Sequence, residues 1–397
     1  MRFRVDAPGP VRSEDRVTGP TNTEVPLFHR QRPGWLTTGR ATTTVDRVNS
    51  AETSTDAPHV VICTTGGTIT ASTAADGAVV AGESDAATEA MLDELRAVLP
   101  GGIRVSARPV LDGDSSTFGP AEWDLLVAAV TDVLADPSVT GVVVSHGTDS
   151  LEESAIALDL HHSDPRPVTL TGAQLPADNP KADGPANLLD AVLLAADPVS
   201  RGLGVLVVLG RAILRARGVR KWHTTDPVAF ARNSPEQPVE DLPPELERPA
   251  LDGRARFADV RVDVVACPPG SDAAALRACV DAGARGLVLE GSGSGNLPPL
   301  VADAVAELTD DRPDIVVVAG TRVPRGEATA TYGGRGGGAE LASRGVLSAG
   351  YLRSGQARVL LAALLSVTEA GDATSDGERA AAATAVRRQW SRYHLYS

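Results

Sequence analysis

Three observations predict an α/β protein built on a mostly parallel sheet, with a second, smaller α/β part towards the C-terminus. Short apolar, β-branched runs recur along the chain, helix-period stretches separate them, and proline sits near two of the helix starts, at Pro120 and Pro299. The runs are 59–64, 141–145, 167–171, 203–209, 261–266, 286–290 and 314–319. The helical stretches between them are 86–99, 120–135, 150–161, 185–196, 272–282 and 298–309. Runs this continuous read as strands buried on both faces. Alternation of the two kinds gives βαβ units with right-handed crossovers.

Before the first run, residues 1–57 carry many Thr, Pro, Arg and Asp residues without sustained periodicity. They predict a disordered extension, or an over-long start, rather than a domain. The N-terminal α/β domain is expected over 58–235 and is expected to carry the catalysis. The Pro/Glu-rich stretch 234–250 interrupts the alternation and places a linker at 236–257, followed by a C-terminal α/β domain over 258–397. The segment 332–338, Tyr-Gly-Gly-Arg-Gly-Gly-Gly, reads as too flexible for a core element.

Composition narrows the function. The 397 residues contain 51 acidic and 37 basic side chains, a net charge of −14. Nucleic acid and anionic membranes are disfavoured, because a phosphate surface requires a basic face. The arginines near Met1 are not followed by an apolar stretch, so no secretory signal is read. No run reaches the ~18 apolar residues that a spanning helix needs. Cys63, Cys267 and Cys279 form no CxxC pair and no even framework, which points to a reducing, cytoplasmic setting.

In open parallel sheets ligands bind beyond the carboxyl ends of the strands, and three such loops are unusual. The first is Cys63-Thr64-Thr65-Gly66-Gly67-Thr68-Ile69, a hydroxyl beside two glycines that let backbone approach closely. It lacks the GxxxxGK[ST] pattern of a P-loop. The second is Ser145-His146-Gly147-Thr148-Asp149-Ser150, where Asp149 or Ser150 can cap the helix that follows. His146 has no HExxH or GxSxG context and reads as structural. The third, Val219-Arg220-Lys221-Trp222-His223, carries one of only two lysines, the other being Lys181. A lysine drawn into a closed site loses charge by desolvation and can then accept a proton.

Together these residues resemble the bacterial-type L-asparaginase/glutaminase family, in which a threonine nucleophile sits in a flavodoxin-like domain. Thr65-Gly66-Gly67-Thr68-Ile69 resembles the first family signature and His146-Gly147-Thr148-Asp149-Ser150 the second. Asp114-Ser115-Ser116-Thr117 is similar to the substrate-binding loop. Thr171–Pro176, Asp183–Leu188, the Lys221 segment and Ala357–Leu361 match further stretches. The resemblance implies hydrolysis of L-asparagine to L-aspartate and ammonia through a threonine acyl-enzyme, with a secondary glutaminase activity. It implies Thr65 as nucleophile, and Thr148, Asp149 and Lys221 as a second catalytic set. Ser115, Ser116, Thr148, Asp149 and Ala173 become substrate-binding residues. It implies no metal and no organic cofactor, and a homodimer or homotetramer. The chain also departs from the family. The lid stretch 70–82 has no tyrosine. Position 268–271 reads Pro-Pro-Gly-Ser where asparagine is expected, and neither Glu327 nor Tyr332 aligns with the glutamate of the C-terminal domain.

Three rival readings remain: an ammonia-releasing component of a tRNA-dependent amidotransferase, a binding protein that keeps the pocket, and a nucleotide-binding protein. The last is suggested by the glycine-rich turn 291–295, which instead reads as a domain-interface loop because GxGxxG is absent.

Overall fold

The computed structural model describes residues 57–67, 69, 72–73, 76, 79–80, 85–231, 249–251, 253–368 and 375–394. The expected extension 1–57 lies outside these residues except at Ala57. So do most of the lid stretch 70–82 and most of the Pro/Glu-rich stretch.

In chain order the elements are β1 (His59–Thr64), β2 (Ser72–Thr73), β3 (Val79–Val80), α1 (Asp85–Val98), β4 (Arg104–Pro109) and α2 (Pro120–Leu134). They continue with β5 (Gly141–Ser145), α3 (Leu151–His161), β6 (Val168–Thr171), α4 (Gly184–Ala196), β7 (Val205–Leu209), β8 (Ala212–Arg215), β9 (Arg220–Lys221) and β10 (Phe230–Ala231). The C-terminal part contains β11 (Val262–Ala266), α5 (Ala274–Asp281), β12 (Gly286–Gly291), α6 (Pro299–Asp311), β13 (Val316–Thr321), α7 (Gly338–Ser343), β14 (Leu347–Ser348), α8 (Ser354–Thr368) and α9 (Asp376–His394).

A six-stranded sheet runs β4-β1-β5-β6-β7-β8, parallel except for the β7–β8 hairpin. A four-stranded parallel sheet runs β11-β12-β13-β14. The expected α/β class with a smaller second sheet is therefore the observed one. Because side chains alternate along a strand, the larger sheet feeds two core layers. Val61, Cys63, Val142 and Val144 pack with Trp123 and Leu126 of α2 and with α3. Val60, Ile62 and Val143 pack with Leu92 and Leu95 of α1 and with Leu188 and Val192 of α4. Helix α8, buried along most of its length, touches both α3 and the β11–β12 ladder.

Several elements differ from the sequence expectation. β4 is an edge strand with exposed ends and a terminal proline, so its apolar signal is weak. The described end of the expected linker is packed: Leu251, Ala255 and Phe257 are buried, and the Phe257 ring meets Trp123 edge-on at 5.8 Å. Of the glycine-rich segment 332–338, residues 332–335 are exposed, while Gly336 and Gly337 are buried where a Cβ would strike the Leu297 and Tyr332 carbonyls. The turn after β12 closes on itself through the Ser292–Asn296 bridge and meets Thr329, so its described partners lie within the C-terminal part.

Candidate active site

Thr65 follows β1 directly and is wholly buried. Its N–H and its hydroxyl both donate to the Ser145 carbonyl, at 3.1 and 3.0 Å. Strands β1 and β5 are neighbours, with Thr64 opposite Ser145. Gly67, at φ 94°, brings the two strand-end turns into contact: a Cβ there would lie 2.8 Å from the Gly147 Cα and N. Gly147 in turn faces Ser115, whose Oγ would lie 2.5 Å from an added Cβ.

Ser115 is buried in the 3-10 turn Ser115–Thr117. Its Oγ accepts the Asp149 N–H at 3.2 Å, and its carbonyl accepts the Ser150 hydroxyl at 2.5 Å. The expected cap of α3 is thereby corrected. Ser150 occupies the N-cap position, but its hydroxyl goes to Ser115 and neither side chain caps the helix. Ser116 is exposed, and only its N–H is engaged in a described bond, by Asp114 Oδ1 at 2.8 Å.

Lys221 reaches this loop from β9. Its Nζ donates to Thr148 Oγ1 at 2.9 Å and to Asp149 Oδ1 at 2.6 Å. Thr148 is buried, whereas the Asp149 side chain is 56% exposed, so its carboxylate is open to an incoming ammonium. Since the Thr148 oxygen accepts from Lys221, its own proton is free to point elsewhere. Ala173 closes the floor and is buried. The Asp183 carboxylate holds the loop by accepting the Gln174 and Leu175 N–H groups, and Asn187 donates to Asp183 and to the Gly172 carbonyl.

The structure thus gathers Thr65, Ser115, Thr148, Asp149 and Lys221 at adjoining strand ends, with Ala173 behind them. It leaves Ser116 at the exposed edge. Lys181 sits elsewhere, in an exposed turn. Glu327 and Tyr332 are exposed, and none of their described contacts reaches these residues. Beside Lys221, the Arg325 guanidinium lies 4.8 Å from the Trp222 ring centroid.

Other nucleophiles and bases nearby are disabled. Burial pushes the Cys63 thiol up to about 12, so it stays protonated. Burial lowers His146 to about 4, so the imidazole is neutral. Its Nδ1 donates to the Gly147 carbonyl while its ring packs edge-on against Phe118. Sequence reasoning missed Glu152 and Gln356. Glu152 accepts the Lys221 backbone N–H, and Gln356 bonds the Glu152 carbonyl. The available signal was weak: Gln356 precedes the apolar run Val359–Leu365, and Glu152 stands beside a second glutamate, Glu153. Among the described residues, no group of three or more His, Cys, Asp or Glu is placed to hold a metal.

The parallel α/β scaffold carries a buried hydroxyl, that of Thr65, and a hydroxyl–lysine–carboxylate cluster in the loops beyond its strands. Residues 59–243 match the model of the asparaginase N-terminal domain, and 261–376 that of the glutaminase/asparaginase C-terminal domain. A probable L-asparaginase of Deinococcus radiodurans is 33% identical over 322 residues, covering 78% of this chain and 94% of the relative. One component of the glutamyl-tRNA(Gln) amidotransferase of Methanopyrus kandleri is 32% identical over 280 residues, covering 64% and 59%. The crystal structure of a probable cytoplasmic L-asparaginase from Campylobacter jejuni superposes with a TM-score of 0.67 at 25% identity, covering 82% and 99%. The chain belongs to the asparaginase/glutaminase family of amidohydrolases.

Proposed function

We propose that the protein is an L-asparaginase that hydrolyses L-asparagine to L-aspartate and ammonia, with glutamine as a secondary substrate. The observation that carries this reading is the Lys221 amine bonded to both Thr148 and Asp149, in a turn that Gly147 brings against Gly67 of the turn holding the buried Thr65. The Thr65 oxygen attacks the side-chain amide carbon. The acyl-enzyme forms as the C–N bond breaks and the nitrogen leaves, protonated, as ammonia; water then attacks the ester and returns the Thr65 hydroxyl. Lys221 serves the proton transfer through Thr148, whose hydroxyl its amine contacts. Asp149 pairs with the substrate ammonium. Ser115 and Ser116 hold the α-carboxylate, and the backbone at Ala173 meets the side-chain amide.

We infer further that the enzyme works in the cytoplasm as a homodimer or homotetramer. The name of the Campylobacter protein supports the first. No helix among the described residues is long and apolar enough to cross a membrane. We divide the chain into an N-terminal domain of 58–235 and a C-terminal domain of 258–397; two family models with separate spans, 59–243 and 261–376, support a division in this region.

Ammonia release from asparagine and from glutamine, measured side by side on purified protein, tests the activity. Thr65→Ala should abolish turnover, and Lys221→Met should lower kcat by ~10²–10⁴-fold. Lys181→Met, in an exposed turn, should leave turnover unchanged. Activity in Thr65→Ala equal to wild type would overturn the nucleophile assignment.

A further inference from the structure

We propose that Glu152 is a positioning residue for the Lys221 amine, holding the lysine-bearing strand through the Lys221 backbone N–H while Gln356 braces Glu152 from its own carbonyl side. This rests on the reading of Lys221 as serving the proton transfer. Strand β9 is only two residues long and pairs with a β10 of equal length. That hairpin leaves the Lys221 N–H unused, and Glu152 Oε2 accepts it. The Glu152 carbonyl accepts from Gln356 Nε2 at 2.9 Å. The same nitrogen donates to the Ala216 carbonyl at 2.7 Å, and Gln356 Oε1 accepts the Gly218 N–H at 2.7 Å. Gln356 is fully buried on α8. One side chain therefore ties the first turn of α3, three residues past Asp149, to the segment that leads into Lys221.

The neutral form suits this task. Glu152 is mostly buried beside Glu153, and both features raise its pKa. The charged groups facing it are Glu153 on its own helix and Arg220 and Lys221 from β9; from α8, Arg358 faces Glu153. An ionised Glu152 would add a second negative charge to the surroundings of Lys221, whose amine is already engaged by the Asp149 carboxylate. A neutral carboxyl oxygen still accepts the backbone N–H without adding charge.

Three variants of the full chain decide the matter by kcat, KM and pH profile. Glu152→Met keeps volume but lacks the acceptor. Its kcat should fall roughly 10- to 100-fold with KM nearly unchanged, as a displacement approaching 1 Å at a reacting group would produce. Glu152→Gln keeps a neutral acceptor and should recover most of that loss. It should also hold its kcat to higher pH than wild type, because no carboxylate can form beside the lysine. Lys221→Met separates this inference from the reading beneath it: full activity there would sink the lysine assignment itself. With Lys221→Met inactive, a Glu152→Met enzyme of normal kcat, or a Glu152→Gln enzyme as slow as Glu152→Met, overturns the positioning role. If Glu152→Met does not fold, the alkaline limb of Glu152→Gln decides, and one identical to wild type refutes the proposal.

Discussion

Replacing Gly67 by alanine should slow the enzyme far more than it unfolds it. Gly67 sits at φ 94°, where an L side chain costs about 1–2 kcal/mol. The new Cβ would lie 2.8 Å from the Gly147 Cα and N, and easing that contact to 3.4 Å requires a shift of about 0.6 Å. Both neighbours are backbone atoms, so no side chain can rotate away. Gly147 is itself backed by Ser115, so the shift opens the gap between the Thr65 turn and the Thr148 turn. A misplacement of about 1 Å can cost ~10²-fold in rate, so about 0.6 Å should cost roughly ten- to fiftyfold in kcat. Gly283→Ala is the control, because Gly283 has φ 89° but nothing within 4 Å of an added Cβ. Ammonia release per folded molecule, with thermal melts of both variants, makes the comparison. If Gly67→Ala matched Gly283→Ala in kcat, the strand-end contact would not set the geometry of the site.

Asp149→Asn removes the charge proposed to pair with the substrate ammonium, worth roughly 1.5–3 kcal/mol as a charged hydrogen bond; steady-state kinetics should show KM up about tenfold or more. Arg217→Ala breaks a buried ion pair with Asp159, whose Nε–Oδ2 distance is 2.7 Å and whose side chains are 4% and 3% exposed. The cost should be about 3–5 kcal/mol in denaturant melts. Burial raises the Glu152 carboxyl to about 8, so the folded protein holds a proton there that the unfolded chain has released. Stability should therefore fall as pH rises from about 4.5 towards 8, by at most ~1.4 kcal/mol per unit. Glu152→Gln should flatten that slope in melts run at pH 5 and pH 8.

The buried parallel strands were legible because burial on both faces writes a continuous apolar run. Val142–Val144 and Val205–Leu209 carry that signal, and both are fully buried strands. The threonine and aspartate segments were legible because each follows such a strand, and Lys221 because it is one of only two lysines in the chain. Strand β4 was not, since Arg104, Ser106, Arg108 and Pro109 interrupt its apolar run and Arg108 turns its guanidinium to Ala129 and Asp132 of α2. The β9–β10 hairpin was not, since two-residue strands have no period to read. Helix α9 hides its packing in an alanine-rich stretch, yet Ala383, Val386, Trp390 and Tyr393 are buried and Trp390 Nε1 donates to the Ser348 carbonyl. Glu152 and Gln356 escaped notice because their roles depend on partners 69 and about 140–200 residues away along the chain.

The reactive groups all rest on near neighbours. The Thr65 hydroxyl is engaged by the Ser145 carbonyl, and the Lys221 amine by Thr148 and Asp149. On the proposed reading, an α-ammonium arriving at the exposed Asp149 carboxylate shares that group with Lys221, which holds its Oδ1. That sharing weakens the pairing between the carboxylate and the lysine amine. Substrate recognition and activation of the base are then linked through one carboxylate. A ligand without an α-amine would bind without loosening Lys221, and its amide, though correctly placed, would meet a lysine still held by Asp149. On this geometry, discrimination against such amides falls in kcat as well as in KM, because the group that reads the substrate is also the group that restrains the base.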